Sequence, residues 1–233
     1  MLSDTTPQSN LSSPLTLRAN EQGSKRLAAF LVAAFLVSVP VFIQAPLVRL
    51  YPWVSLFITP VLFLSGLYMY RQSSLKFWGD LTIGFSWTWL AGSLYWGWLR
   101  YNPYIHLPVE AIGLPIVLIL ISRNHLKIGS YFYLGSLLGT AITDIYFYWV
   151  DLIPYWKQVM SIEPALTGTV LQAALEQIHN PIAAIRALWL LSLLVAIGLL
   201  GIRSKNDHWW AFSGAVLSTI LVDALFFIAA TLA

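Results

Sequence analysis

The sequence predicts an all-α fold: a polytopic transmembrane helix bundle of about seven spans with its N-terminus in the cytoplasm. Composition is the first observation behind this. Of 233 residues, 58% are hydrophobic and 10% charged, and the mean hydropathy is +0.71. Soluble domains carry about 25% charged residues, so this chain has too few to coat a water-facing surface. The second observation is length. Seven apolar segments reach or approach the roughly 20 residues that cross about 30 Å of hydrocarbon. The third is an asymmetry of Lys and Arg between alternate connections, which sets orientation in a bilayer.

The segments follow in order. Residues 1–26 are polar and rich in Ser, Thr, Asn and Gln, and read as a disordered tail preceding a single helical domain over 27–233. Lys25 and Arg26 abut the first apolar run as in a signal sequence, but no A-x-A site with a polar mature start follows, so an uncleaved first span is expected. The spans are placed at 27–47, 52–70, 78–99, 106–122, 128–150, 183–202 and 208–231. Pro40 and Pro46 are expected to kink the first. The fourth is short and carries Pro108 and Pro115, which predicts a tilted or broken helix whose freed backbone groups need other partners. Residues 151–182 form a long outer-side connection. In it Ser161 is placed to cap an amphipathic helix with Leu171, Leu175 and Ile178 on one face and Gln172, Glu176 and His179 elsewhere. Asn180-Pro181 reads as an N-cap and first-turn proline opening the next span.

The basic residues set the direction. Arg18, Lys25, Arg26, Arg71, Lys76, Arg123, Lys127, Arg203 and Lys205 fall on one side of this arrangement, and Arg49, Arg100, Lys157 and Arg186 on the other. The larger group marks the cytoplasmic side. The net charge of +3 is thereby a topology signal, and no nucleic-acid partner is expected. With no cysteine in the chain, disulfides, thiolate metal sites and Cys nucleophiles are excluded. Phosphate-binding loops, nucleophile elbows and H-E-x-x-H helices are absent too. So are aspartate-rich diphosphate motifs and His boxes.

The chemistry-bearing residues gather at one depth. Ionisable groups cost about 2.5–3.5 kcal/mol near a span's centre, yet Asp144 and Asp223 both lie there. At 1.5 Å per residue each is roughly 22–24 Å from the cytoplasmic end. Glu110 enters from the outer side in the first turns of span four, His106 precedes it by four residues, and Arg100 ends span three. Glu110, Asp144 and Asp223 are the candidate acid–base groups, with Arg100 and His106 beside them and Asp151 near the interface. They are expected to line one polar cavity opening outward. His106 and Glu110 share a helix face, but a metal needs about four donors and none of the other histidines pairs with His106, so no metal site is assigned.

Two helix faces add detail. In span five, Gly135 and Gly139 permit close helix approach, and Thr140, Asp144 and Tyr148 form a polar stripe in which Thr140 and Tyr148 are expected to bond the aspartate, with Arg100 placed to neutralise it. In span three, Phe85, Trp89, Gly92 and Trp96 share a face. Gly92 leaves a gap between rings that suits a polyene, a quinone or a lipid tail, which makes Trp89, Trp96 and Tyr148 candidate ligand contacts.

The stretches Phe77-Trp78-Gly79-Asp80, Gly84 to Gly92, His106 to Ile112, Tyr131 to Gly135 and Thr143 to Tyr148 resemble a family of cyanobacterial integral membrane proteins of unknown function, over roughly residues 25–230. That resemblance implies a thylakoid or plasma-membrane location. Pro108-Val-Glu110-Ala111 also resembles, much more weakly, the Pro-x-Glu-Glu motif of small-subunit lycopene cyclases, keeping one glutamate of the two. The expectation is therefore an integral membrane protein, in contact with the lipid bilayer, that handles an apolar pigment, quinone or isoprenoid, or that assists a photosynthetic membrane-protein complex. The alternative is a proton- or cation-coupled transporter using the intramembrane aspartates. No particular cofactor, and no enzymatic reaction, follows from the sequence.

Overall fold

The structure is a computed structural model that describes residues 14–163 and 166–232, with side chains from residue 21 onward. All regular structure among the described residues is helical. The long helices are α1 (Pro14–Leu50), α2 (Pro52–Arg71), α3 (Lys76–Leu94), α6 (Lys127–Trp149), α9 (Pro181–Ile202) and α10 (Asp207–Leu232). Between α3 and α6 lie the short α4 (His106–Glu110) and α5 (Leu114–Ser122), and between α6 and α9 lie α7 (Ile153–Ser161) and α8 (Thr167–Ile178).

Helix α1 corrects the expected tail. Residues 14–26 continue the first span's helix outward, because extending an existing helix costs far less than nucleating one. Pro14 sits in the first turn, where its missing N–H costs nothing. Residues 1–13 of the expected tail lie outside the described residues. Helix α1 also runs through Pro40 and Pro46 without interruption.

The fourth segment is broken, as its prolines require. A 3-10 turn at Pro103–Ile105 precedes α4, and a second at Ala111–Gly113 separates α4 from α5. Each turn contains the residue four positions before a proline, Tyr104 before Pro108 and Ala111 before Pro115. The pyrrolidine ring clashes there with an α-helical carbonyl. Tyr133 supplies the missing partners. Its hydroxyl donates to the Glu110 carbonyl at 2.6 Å and accepts from the Gly113 N–H at 3.1 Å.

Helix directions follow from side-chain pairs. Arg26 meets Asp207 at 3.6 Å and Phe42 stacks on Phe226, so α1 and α10 are parallel. Gly135 abuts Phe212 and Ala215, Gly139 abuts Thr219, and Thr143 bonds Asp223, so α6 and α10 are parallel as well. Asp80 reaches Gly129 and Phe85 packs on Phe132, which makes α3 parallel to α6. The remaining side is joined by Gln44 of α1, which donates to the Trp89 carbonyl at 2.8 Å and to Ser93 Oγ at 3.0 Å on α3. Four parallel helices thus surround a core of Ala29, Ala33, Leu81, Phe85, Trp89, Phe132, Ala211 and Ala215. Antiparallel α2, α5 and α9 pack outside this ring.

Among the described residues, five helical runs are long and apolar enough to cross a membrane: Glu21–Leu50, Pro52–Arg71, Pro103–Ser122, Pro181–Ile202 and Asp207–Leu232. Helices α3 and α6 are less apolar, carrying Asp80, Asp144 and several Gly and Ser residues. Their neighbours screen them, so they need not match lipid.

The connection after α6 forms two helices, α7 and α8. Ser161 ends α7 and bonds the Lys157 carbonyl at 2.7 Å, so it does not cap α8. The amphipathic reading of the segment holds: Leu175 is buried while Gln172, Glu176 and His179 are exposed. Asn180 caps α9, accepting from the Ile182 N–H at 3.0 Å.

One anchor came with little sequence signal. Leu126 occupies the N-cap position of α6 with φ 46° and has no capping side chain. Asp80 of α3 does that work across the helix interface, accepting from Gly129 N–H at 2.8 Å and Ile128 N–H at 3.1 Å. A Cβ on Gly129 would strike the Asp80 carbonyl, and one on Gly84 would strike Gly129. Removing the carboxylate strands one buried and one part-buried donor, each costing about 1–3 kcal/mol. Asp80→Ala is therefore expected to lower the midpoint of thermal unfolding in detergent by at least roughly 4 °C, from about 2 kcal/mol or more at about 2–4 °C per kcal/mol for a chain of this size, and Asp80→Asn, which keeps one acceptor oxygen, by less. Equal midpoints for all three proteins would refute the cap.

Candidate functional site

The site is assembled where α4 meets α6. His106 opens α4, and Asp144 lies on the α6 face turned toward it. Both are buried, at 7% and 4% exposure. The His106 Nδ1–H lies 2.9 Å from Asp144 Oδ1 and 3.0 Å from Oδ2, donating to the carboxylate. Because an ionised carboxylate can only accept, this contact takes the proton on Nδ1 and leaves Nε2 for a second partner. Nε2 faces Glu110 Oε1 at 3.8 Å, one helical turn along α4. Asp144, His106 and Glu110 thus form a string in which the aspartate orients the ring and the glutamate faces its second nitrogen.

Aromatic side chains close the site. Tyr95 lies 4.2 Å from the imidazole, centroid to centroid, and Trp96 and Trp156 lie at 5.7 and 5.4 Å. Trp156, from α7, stacks on Trp96 with rings 4° from parallel and donates from Nε1 to the Arg100 carbonyl. Tyr95 and Trp96 belong to the π-helical turn Tyr95–Leu99 that ends the third span. Such turns insert a residue into a helix and often occur at functional sites.

Other expected members go elsewhere. Asp223 accepts from Thr143 Oγ1 at 2.8 Å. Thr143 is the chain neighbour of Asp144, so the two aspartates lie at one level of the bundle but belong to different contacts: Asp144 on α6 turns toward α4, and Asp223 on α10 turns toward Thr143 on another face of α6. Arg100 donates to the Trp96 carbonyl and the Tyr101 hydroxyl and lies over the Tyr101 ring. It therefore does not neutralise Asp144; His106 is the partner. Tyr148 donates to the Pro103 carbonyl, not to Asp144. The expected polar cavity is not formed by these residues; Trp156 packs over the His106 ring instead.

The span-three face also differs from expectation. Gln44 fills the gap at Gly92, its Oε1 lying 2.7 Å from where a Cβ would stand. Trp89 is core, donating from Nε1 to the Ser55 carbonyl at 2.9 Å. Trp96 belongs to the His106 cluster, so the two rings do not line one groove. A lone glutamine in an apolar span needs a polar partner, and that signal could have pointed from Gln44 to span three. Trp156 carried no comparable signal, because it sits in a connection. Among the described residues no three of His, Asp and Glu are grouped to hold a metal ion.

A family described as "Protein of unknown function (DUF3120)" matches residues 33–231. The chain belongs to this family. No curated protein and no solved structure matches the chain. The match spans every helix named here, from within α1 to the end of α10, and includes the whole His106 centre.

Closure by Trp156 has a chemical readout. Diethyl pyrocarbonate modifies solvent-accessible imidazoles. Wild-type His106 is expected to resist it while exposed His125 and His179 react, and Trp156→Ala is expected to make His106 reactive. Peptide mass mapping follows each histidine separately. Rapid modification of His106 in the wild type would contradict the closed site.

Proposed function

We propose that this integral membrane protein crosses the bilayer seven times, N-terminus in the cytoplasm, and exchanges protons at the His106 centre as a proton- or cation-coupled carrier. The observation that supports this most is the buried Asp144–His106 pair with the part-buried Glu110 facing its second ring nitrogen. An aspartate in a span costs about 2.5–3.5 kcal/mol, whereas an interhelical hydrogen bond within a membrane returns on average about 0.6 and at most about 1.7 kcal/mol. Packing alone would favour apolar residues here, so the penalty is borne for chemistry. A proton that passes between Glu110 and His106 Nε2, once a side-chain shift closes their 3.8 Å separation to hydrogen-bonding distance, leaves the site's total charge unchanged while Asp144 holds the ring. The packing of Gln44 against Gly92 weighs against an apolar pigment on the span-three face. The closed aromatic box suits a proton or small ion better than a polyene.

The seven-crossing reading rests on the alternation of helix direction. It places Arg71, Lys76, Arg123, Lys127, Arg203 and Lys205 at one end of the bundle and Arg100, Lys157 and Arg186 at the other. The cysteine-free chain makes this simple to test. In intact spheroplasts a membrane-impermeant maleimide is expected to label Ser161→Cys but not Asn206→Cys until the membrane is opened. Labelling of both from outside would refute the topology.

Proton exchange is tested without knowing the cargo. A pH step between about 5 and 8, applied to proteoliposomes on a solid-supported membrane, is expected to displace charge. Asp144→Asn and His106→Gln are expected to reduce the signal to that of protein-free liposomes while the protein stays inserted. An undiminished signal in both variants would rule out the His106 centre as its source.

A further inference from the structure

A second polar site lies away from the His106 centre and goes beyond the reading above. At the outer end of α6, an open cleft of about 180 Å³ is lined by Trp149, Val150, Asp151, Gln177, Asn180 and Arg186, together with Ile182 and Ala183. It carries one fixed charge of each sign. Arg186 is anchored by a hydrogen bond from Nη1 to the Trp149 carbonyl and by packing over the Trp149 ring. Its remaining N–H donors stay available, since a guanidinium has five. Gln177 is tied through Nε2 to the Val150 carbonyl at 3.2 Å, which leaves its amide oxygen free. Asp151 is exposed and, among the described residues, makes no ion pair or hydrogen bond, with Arg186 or any other side chain. Its backbone has φ 61°, a left-handed conformation that Asp and Asn tolerate better than most residues.

Opposite charges that share a cleft without neutralising each other fit a ligand carrying both. The surface beside the cleft indicates which kind. Ile182, Ile185 and Trp189 are 58%, 67% and 61% exposed, and with Arg186 they follow helical spacing along one face of α9. Trp189 packs edge-on against Trp149. An apolar stripe therefore descends from the charged cleft toward the middle of the membrane.

We infer that this cleft binds a zwitterionic phospholipid. Its phosphate pairs with Arg186, its ammonium group with Asp151, and its acyl chains lie along Ile182, Ile185 and Trp189. A purely anionic headgroup offers Asp151 only repulsion.

Native mass spectrometry of the detergent-solubilised full chain tests this, with dioleoyl phosphatidylethanolamine and dioleoyl phosphatidylglycerol as probes. The wild type is expected to retain the ethanolamine lipid in preference to the glycerol lipid. Arg186→Gln should weaken both about tenfold, the scale of one lost charged hydrogen bond. Asp151→Asn, which tolerates the same backbone conformation, should abolish the preference. Asp144→Asn is expected to bind lipid like the wild type, so a failure of the proton reading leaves this result intact. Soluble phosphoethanolamine distinguishes the source of the headgroup chemistry. Competition at low concentration identifies the headgroup alone as sufficient, and its absence shows that the apolar stripe is needed; both support the site. Equal retention of the two lipids by the wild type, or a preference unchanged in Asp151→Asn, would overturn it. Should Arg186→Gln fail to fold, Asp151→Asn decides the matter alone.

Discussion

An aspartate in the interior of a helix bundle must be met by a donor, and much of this structure is arranged so that Asp144 is. The donor is His106, whose Nδ1 lies 2.9 Å away. To bring an imidazole to that level from the end of the bundle where α3 finishes, the chain must enter the bundle and turn into a helix there. Two prolines and the 3-10 turns upstream of them break the fourth segment, so that α4 presents His106 and Glu110 together. The break frees backbone groups, and Tyr133, three turns before Asp144 on the same helix, satisfies them. Helix α6 therefore provides both the charged group and the repair for the distortion needed to reach it.

The opposite faces of α6 are constrained by proximity. Helix association in a bilayer lacks the hydrophobic drive available in water and depends on van der Waals packing and interhelical hydrogen bonds. Gly135 and Gly139 allow α10 to approach closely enough for Thr143 to bond Asp223, and Gly129 allows α3 to place Asp80 at the helix N-terminus. Held from three sides, α6 is a rigid support for Asp144. The His106–Asp144 bond tolerates little lateral drift, since hydrogen bonding weakens steeply with distance and misalignment. Trp156, which arrives from a segment outside the ring, then packs over the imidazole and covers the pair at that end of the bundle.

The parts of this structure legible in the sequence are those encoded along a single helix. Apolar run length located the long helices, proline positions located the break in the fourth segment, and rise per residue placed Asp144 and Asp223 at one level. Four-residue spacing paired Gly135 with Gly139. Relations between helices were less legible. The depth argument brought Arg100, His106, Glu110 and both aspartates together, but it could not say which faced which. Arg100 turned back to its own helix, and Asp223 took Thr143. The gap at Gly92 was visible while its occupant, Gln44, lay almost fifty residues away in another span. A cap supplied in trans, such as Asp80 for α6, leaves no trace in the helix it caps. The tail was misread at 14–26 because polarity, which marks exposure to water, does not prevent an adjoining helix from extending.

The bond between His106 and Asp144 is the central claim, and the protonation of one nitrogen tests it most directly. Nitrogen-15 solid-state NMR of ring-labelled histidine, recorded in lipid bilayers and assigned by difference against His106→Gln, reports each ring nitrogen separately. The expected result is a protonated, strongly hydrogen-bonded Nδ1 whose resonance moves in Asp144→Asn. A His106 that carries its proton on Nε2 alone, or whose Nδ1 resonance is indifferent to Asp144, would contradict it.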